Sequence, residues 1–146
     1  MNDDLRPDPD AIAATKAGVN RPRSFGQFVD RLVRKYLWGM EIHKSAWIAR
    51  SAYIDRTWPR GIRIGEGCVI DEEASVLTHD MTRGVYLNTH IGNGTKIGAR
   101  AIIMPGLTIG EGCKIEPGSV VIRDLEAGSH VRGNPAKPVE PLTSKA

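Results

Sequence analysis

The sequence predicts a mainly β fold in which the chain winds into short, three-sided coils. The first observation is an aliphatic residue at every sixth position from Val85 to Val121, with small or polar residues between them. A period of six matches neither the 3.6-residue repeat of a helix nor the two-residue repeat of a strand. The second observation is that the same period extends backwards, with two interruptions, to Ile42. A short repeat of this kind indicates a solenoid.

The period of six has a direct physical interpretation. Each unit has room for two or three extended residues and a turn, so three units complete a triangular coil of about 18 residues. The aliphatic side chains then point inward and stack from coil to coil, and each one that is buried contributes about 1.5–3 kcal/mol. Counting three sides per coil predicts three stacks: Ile64, Val85, Ile103 and Val121; Ile70, Ile91 and Ile109; and Val76, Ile97 and Ile115.

The repeat also sets the expected domain boundaries. Residues 1–23 are polar and contain three Pro, and we expect them to form a flexible arm. Residues 24–40 are predicted to form a helix that covers the end of the solenoid. The solenoid domain follows over residues 41–137, and residues 138–146 form a tail.

The predicted helix is amphipathic. Ser24 can cap its first turn and form a capping box with Gln27. Apolar side chains recur at helical spacing between residues 25 and 37, and we expect the helix to cover the open first coil and protect its exposed sheet edge. A helix lying on a membrane surface is the alternative, which we do not favour. The opposite face carries three bases: Arg31, Arg34 and Lys35.

Composition narrows the functional class. The chain has 146 residues, of which 25% are charged and 40% apolar, as in an ordinary soluble domain. A net charge of +3 suits an anionic ligand but is too weakly basic to indicate nucleic acid. Neither a signal peptide nor an apolar run long enough for a bilayer is evident, so we expect a cytoplasmic protein.

The two interruptions of the period are the expected working surfaces. Four extra residues precede Ile64, around Trp58, and three precede Val85, around His79. An insertion must leave a solenoid as a loop, and loops on a rigid scaffold commonly carry function. Histidine titrates near pH 6.5, which suits His79 to act as a general base. Trp58 either stacks on a ligand ring or packs beneath its own loop.

Taken together, these segments resemble the hexapeptide-repeat acyl-CoA acetyltransferases. The resemblance covers about residues 42–138 and rests on four features in order: the six-residue repeat, Thr78-His79-Asp80, Gly98-Ala99-Arg100 and Gly133-Asn134-Pro135-Ala136-Lys137. It implies a left-handed parallel β-helix with one N-terminal α-helix. It further implies a homotrimer with active sites between subunits. Among these enzymes, those that acetylate a hydroxyl of a sugar or polysaccharide precursor are the most similar.

The resemblance implies roles for individual residues. His79 would deprotonate the acceptor, and the adjacent Asp80 is a candidate to orient the imidazole. Gly98 and Ala99, followed by Pro117 one coil later, would line the acetyl-CoA arm, because they leave room beside the backbone. The C-terminal segment would meet the phosphate end of the cofactor through Arg132, Asn134, Pro135 and Lys137. The candidates for contact with the acceptor are Trp58, Asn88 and His90.

Three alternatives remain open at this point. The γ-class carbonic anhydrases share the implied fold and bind zinc through three His, but the matching turn here reads Gly98-Ala99-Arg100, so we expect no metal. Acetylation of an amino sugar nitrogen is the second alternative, and a non-catalytic scaffold is the third.

In the predicted register, the His79 loop leaves the coil directly before the Gly98-Ala99 turn.

Overall fold

A computed structural model describes residues 24–140 and shows a stack of very short strands. The predicted arm (residues 1–23) and the last six residues of the predicted tail lie outside the described residues. The helical elements are α1 (Phe25–Leu32), a π-helical turn (Val33–Leu37) and a 3-10 turn (Pro59–Gly61). The strands are β1 (Glu41–Ile42), β2 (Trp47–Ile48), β3 (Tyr53–Ile54), β4 (Ile62–Ile64), β5 (Val69–Ile70), β6 (Ser75–Val76), β7 (His79–Asp80), β8 (Val85–Tyr86), β9 (Thr89–Ile91), β10 (Lys96–Ile97), β11 (Ile102–Ile103), β12 (Thr108–Ile109), β13 (Lys114–Ile115), β14 (Val120–Val121), β15 (His130–Arg132) and β16 (Lys137–Pro138).

Three parallel sheets form the three faces of a prism. Face A contains β1, β4, β9 and β12, and face C contains β3, β6, β11 and β14. Face B contains β2, β5, β10, β13 and β15, and β16 pairs antiparallel with β15 at its end. Successive strands along the chain pass from face A to B to C, so each coil pairs with the next on all three sides. The mainly β, coiled architecture predicted from the six-residue period is therefore confirmed.

The interior of the prism is a set of aliphatic stacks. Each strand contributes its last or next-to-last residue, and these residues pair in register from one coil to the next. Most are fully buried, because their neighbours above and below are the same type of side chain. The stacks are Ile42, Ile64, Ile91 and Ile109 in face A; Ile48, Ile70, Ile97, Ile115 and Val131 in face B; and Ile54, Val76, Ile103 and Val121 in face C.

The predicted stacks were wrong, because Val85 does not belong to the interior. Val85 is only partly buried and pairs with Asp80 in the antiparallel hairpin β7–β8. Val76 and Ile91 are 15 residues apart, so the insertion is nine residues longer than a regular side rather than three. Val85 falls six residues before Ile91 by coincidence of spacing. Counting it as part of the repeat shifted every later residue by one face.

The corrected register also moves the predicted site. The His79 hairpin leaves the prism after β6, at the corner where face C meets face A. The Gly98-Ala99 turn joins β10 to β11, at the corner where face B meets face C. The two features therefore lie at opposite ends of the face C strands, and the predicted adjacency was wrong.

Helix α1 contacts the first coil through its polar side rather than its apolar side. The Gln27 side-chain amide donates to the Ile48 carbonyl at 3.1 Å, and Arg31 donates to the Lys44 carbonyl at 3.3 Å. Arg34 is buried and forms an ion pair of 2.6 Å with Asp30. The predicted capping box between Ser24 and Gln27 is present. The apolar side chains of the helix point outward: Phe25, Phe28, Val29, Leu32, Tyr36 and Leu37 are exposed.

The reason for this orientation is the hydrogen-bonding requirement of the open coil. The N–H groups of Trp47 and Ala49 donate to the second coil, so the alternate residue Ile48 turns its backbone groups away from it. A carbonyl at that edge needs a donor, which Gln27 supplies and an apolar side chain does not. Between residues 24 and 140, no helix has the length and apolarity needed to cross a bilayer.

Replacing one residue of the aliphatic stacks tests this description of the core. Ile97 is 1% exposed, so Ile97→Ala is expected to reduce the free energy of unfolding by about 2–5 kcal/mol through lost burial and a cavity. Urea unfolding followed by circular dichroism measures the change. The matched control is Lys96→Ala on the outer side of the same strand, where a change within about 0.5 kcal/mol is expected. Equal losses in the two variants would contradict the assigned register.

Candidate active site

The His79 side chain is held on a hairpin that projects from the prism. His79 and Tyr86 are directly opposite each other in the antiparallel pair β7–β8. Their rings stack, with centroids 4.7 Å apart and planes inclined by 16°. His79 is only partly buried, so its imidazole is supported by an aromatic ring and still open to an approaching molecule. This arrangement suits a group that must exchange a proton with a ligand.

The two insertions predicted as working surfaces meet beside this stack. The Trp58 ring centroid lies 6.0 Å from that of Tyr86, with the planes inclined by 53°. The Trp58 indole N–H donates to the Asn88 side-chain oxygen at 3.1 Å. The structure thus brings Trp58, Asn88 and His79 together around Tyr86. Trp58 is 41% exposed and Tyr86 is 56% exposed, so the cluster presents aromatic surface to the solvent.

A buried carboxylate lies beneath this cluster. Asp55 directly follows β3 and is 3% exposed. Its Oδ1 accepts hydrogen bonds from the Thr57 N–H at 2.9 Å and the Tyr53 hydroxyl at 3.4 Å. Its Oδ2 accepts from the N–H groups of Thr78 and His79, both at 3.0 Å. The carboxylate therefore binds the start of the first insertion and the start of the second.

The environment of Asp55 keeps it ionised. Burial by itself would raise the pKa of this carboxyl, because it removes the charged form from water. The backbone hydrogen bonds from Thr57, Thr78 and His79 act in the opposite direction and outweigh burial, so the pKa of Asp55 lies below its ordinary value. A charged acceptor forms stronger hydrogen bonds than a neutral one, which strengthens the link between the two insertions.

Asp80, the predicted orienter of His79, is engaged with its own turn. Its carboxylate accepts from the Thr82 and Arg83 N–H groups at 2.9 and 3.1 Å. The Arg83 Nε forms an ion pair with Asp80 Oδ2 at 2.6 Å. The side-chain hydrogen bond from Arg83 is the main reason that the pKa of Asp80 is lowered. These bonds fix the hairpin that carries His79, and a direct role of Asp80 at the imidazole stays a prediction.

His90 lies on the outer side of face A, exposed, between Arg63 and Thr108 of the neighbouring coils. His90 takes no part in the contacts described above between Trp58 and Asn88 or between His79 and Tyr86. Its contact with an acceptor therefore remains a prediction. Over residues 24–140, no group of three or more His, Cys, Asp or Glu side chains is arranged to hold a metal ion.

The residues predicted to line the cofactor stack along one edge of the prism. The Gly118 N–H donates to the Ala99 carbonyl at 2.8 Å, which places the Pro117 turn over the Gly98 turn. A Cβ on Gly98 would lie 2.6 Å from the Pro117 nitrogen, so the close stacking requires a glycine there. The Val120 N–H donates to the Gly133 carbonyl at 2.9 Å and continues the edge to Asn134 and Pro135, which a cis peptide bond joins.

The two predicted phosphate ligands lie at the C-terminal end of this edge. Arg132 and Lys137 are opposite each other in the antiparallel pair β15–β16, and both are exposed. Arg132 also approaches Glu116 at 3.5 Å. An open cavity of about 510 Å³ beside Lys137 is lined by both bases and carboxylates, with Arg123 and His130 on one hand and Asp124 and Glu126 on the other. This end of the edge offers space, and its exposed cations are Arg132 and Lys137.

Comparison with known proteins identifies relatives of this chain. Residues 88–123 match the family described as bacterial transferase hexapeptide (six repeats). A serine acetyltransferase of Buchnera aphidicola subsp. Acyrthosiphon pisum (strain APS) is 36% identical over 113 residues, which are 73% of this chain and 40% of that protein. The repeats of residues 88–123 are therefore those of the hexapeptide transferases. The putative acetyltransferase YvoF of Bacillus subtilis (strain 168) is 30% identical over 100 residues, covering 67% of this chain and 58% of that protein.

A solved structure identifies the handedness of the family fold in this chain. The maltose O-acetyltransferase of Clostridium difficile 630 matches 92% of this chain and 86% of its own, with a TM-score of 0.62 and 20% identity. The fold is the left-handed parallel β-helix, as predicted. The chain spans 40% and 58% of the lengths of the two sequence relatives above.

Sequence reasoning missed two residues of the site. Asp55 was overlooked, although a carboxylate directly before an insertion can accept the N–H groups that the departing chain leaves unpaired. Tyr86 was overlooked because Val85 was counted as an interior residue, which made its neighbour an ordinary outward position. Recognising the hairpin would have placed Tyr86 opposite His79.

The lowered pKa of Asp55 leads to a test by pH. The group contributes stability that is fully present above its unfolded pKa of about 3.9 and is lost as the pH falls through the lower folded value. Asp55→Asn is expected to reduce the free energy of unfolding at pH 7 by about 1.5–3 kcal/mol. The difference from the unmodified protein should shrink below about pH 4, as urea unfolding at pH 7 and pH 3 would measure.

The control for that experiment is Asp71→Asn. Asp71 accepts the Glu72 N–H at 2.9 Å in a turn at another edge of the prism. Its replacement should cost less at pH 7. A difference between the Asp55→Asn protein and the unmodified protein that is the same at both pH values would contradict an ionised Asp55 in the folded state.

Proposed function

We propose that the protein transfers an acetyl group from acetyl-CoA to a hydroxyl of a carbohydrate, with His79 as the general base. The observation that carries the proposal is the imidazole of His79, stacked on Tyr86 and open to solvent beside Trp58 and Asn88. The names of the sequence relatives, serine acetyltransferase and putative acetyltransferase, support the reaction type.

The chemistry is a direct transfer. The His79 imidazole accepts the hydroxyl proton while the hydroxyl oxygen attacks the acetyl carbonyl carbon. A backbone N–H stabilises the negative charge that develops on the carbonyl oxygen. The carbon–sulfur bond then breaks, and the leaving thiolate receives the proton from the imidazolium. The products are the acetyl ester and coenzyme A, and His79 returns to its neutral form. A base positioned in this way contributes about 10²–10⁴-fold to the rate.

The acceptor class follows from the exposed rings. Sugar rings present C–H groups that pack against aromatic faces, and Trp58 and Tyr86 offer two such faces within 6.0 Å of each other. The Asn88 amide beside them supplies both donors and acceptors for hydroxyl groups. A second candidate acceptor is serine, which the name of the Buchnera relative favours. Both candidates present a hydroxyl to His79, but only a carbohydrate has a ring that can pack against Trp58 and Tyr86.

Acetyl-CoA is proposed to lie along the edge formed by the Gly98, Pro117 and Gly133 turns. Small residues at Gly98 and Ala99 leave the backbone accessible to an extended chain. Arg132 and Lys137, at the end of this edge, would bind its phosphate groups, with Asn134 and Pro135 forming the loop between them. Trp58, Asn88 and His90 are kept as the acceptor side.

A homotrimer is proposed because the two halves of the site do not meet within one chain. The His79 hairpin and the Gly98 edge lie at opposite ends of the face C strands. A base from one subunit could instead meet the cofactor edge of its neighbour. The outward apolar side of α1, with Phe25 81% exposed and Leu37 77% exposed, also favours contact with another copy.

Removing the proposed base gives the main test. His79→Ala is expected to lower kcat for acetyl transfer by about 10²–10⁴-fold while binding of acetyl-CoA is retained. Transfer is measured by release of free thiol with acetyl-CoA and a panel of oligosaccharides, nucleotide sugars, amino sugars and serine. Binding is measured as the rise in melting temperature at about 1 mM acetyl-CoA, since a ligand of the folded state stabilises it.

The matched control is His43→Ala, because the His43 ring contacts Ser45 at 2.8 Å in the first coil. It should transfer at the unmodified rate. Full activity in His79→Ala would refute the assigned base. The absence of any thermal shift with acetyl-CoA in the unmodified protein would favour a scaffold without catalysis.

The acceptor assignment is tested by Trp58→Ala. If a sugar stacks on this ring, KM for the carbohydrate should rise by about 2–10-fold, since aromatic contacts of this size contribute about 0.5–1.5 kcal/mol. KM for acetyl-CoA should not change. Steady-state kinetics in which Trp58→Ala has no effect on the carbohydrate, or in which only serine is acetylated, would support the second candidate instead.

A further inference from the structure

We infer that Asp55 is the positioning residue of the site, holding the His79 hairpin and the Trp58 loop in one fixed arrangement. The inference rests on the proposed function insofar as His79 is the base. Asp55 does not touch the acceptor in this assignment. It acts through the backbone of the residues that do.

The first argument is that the two carboxylate oxygens of Asp55 bind different insertions. Oδ1 accepts from Thr57, one residue before Trp58, and from the Tyr53 hydroxyl. Oδ2 accepts from the backbone N–H groups of Thr78 and His79. One planar group therefore fixes the first insertion with one oxygen and the second with the other. A further bond, from the Thr78 hydroxyl to the Trp58 carbonyl at 3.1 Å, joins the insertions directly.

The second argument is that burying this carboxylate is energetically unfavourable. Burying a charge is unfavourable unless hydrogen bonds replace its hydration, and Asp55 is 3% exposed. The partners described for it are three backbone N–H groups and the side chains of Thr57 and Tyr53, with no cation among them. In the regular coils, the strand N–H donors bind carbonyl groups of the next coil instead. The Asp55 carboxylate lies where two segments of the chain leave the prism, and it accepts the N–H groups of those segments.

The third argument concerns the direction of the imidazole. The His79 N–H is bound to Asp55 on one side, and the His79 ring is stacked on Tyr86 on the other. Fixing the backbone sets the direction in which the side chain leaves it. Without the carboxylate, the hairpin keeps its own turn, bound by Asp80, but loses the two bonds that hold the backbone of Thr78 and His79 to Asp55. The base would then move relative to the acceptor rings.

A spectroscopic experiment reads this position without any acetyl transfer. The Tyr86 ring shifts the proton resonances of the stacked His79 imidazole, and proteins labelled at histidine report them by NMR. Tyr86→Leu gives the unstacked reference, and His79→Gln identifies the resonance. Asp55→Ala, which removes every acceptor, is expected to move the His79 resonance at least halfway to that reference. Asp55→Asn, which retains one oxygen, should give a smaller movement.

Native isoleucine methyl resonances identify the folded molecules, so partial unfolding of a variant does not obscure the result. The His43, His90 and His130 resonances should not move, and Asp71→Asn should leave that of His79 in place. An unchanged His79 resonance in folded Asp55→Ala would overturn the inference. So would equal movement of all four histidines, which would indicate a general loss of structure.

The kinetic arm separates this inference from the proposed function. With acetyl-CoA and the best acceptor of the panel, Asp55→Asn is expected to lower kcat by about 10–100-fold, the effect of a displaced catalytic group. KM for acetyl-CoA should stay within twofold, since its edge lies elsewhere. A moved His79 resonance in a protein with no transferase activity would sink the proposed function and keep the inference. If Asp55→Asn lost activity while the His79 resonance stayed in place, the inference would be overturned and the proposed function would stand.

Discussion

The structure depends on the stacking of identical aliphatic side chains inside a closed three-sided coil. Each Ile or Val contacts the same type of side chain above and below, while the backbone of every coil binds the next on three faces. The two interactions require each other, because a slipped register would break the hydrogen bonds and leave cavities. A frame of this kind deforms little. It can carry loops whose positions depend on very few further contacts.

The candidate site shows what those further contacts are. Where the chain follows the coil, the N–H groups of its strands bind the carbonyl groups of the neighbouring coil. Where it leaves the coil after β3 and β6, the Asp55 carboxylate takes over that function for both departures. A single buried side chain therefore converts two independent insertions into one surface. The aromatic rings and the imidazole then acquire a defined spacing from each other.

The fold class was predictable because the period of six is a strong, redundant signal: a dozen positions agree on it. The location of His79 and Trp58 in insertions was predictable for the same reason, since an interruption is visible only against a regular background. The face on which each later residue lies was not predictable. Val85 has the correct residue type and falls at the correct spacing, yet lies in a hairpin, and only three-dimensional pairing distinguishes the two cases. The orientation of α1 was not predictable, because hydrophobic periodicity takes no account of the carbonyl groups at an open coil, such as that of Ile48.

The hairpin has a consequence for how such a protein can diversify. It departs after Val76 and the chain rejoins the prism at Thr89, at a single corner, so the stacks on either side continue as if it were absent. Its length is therefore decoupled from the register of the scaffold. Residues could be added to or removed from its tip without moving any interior side chain, and the base of the hairpin would stay bound to the same carboxylate. The surface that the hairpin presents and the stability of the scaffold can thus change independently, within one chain and with no new domain.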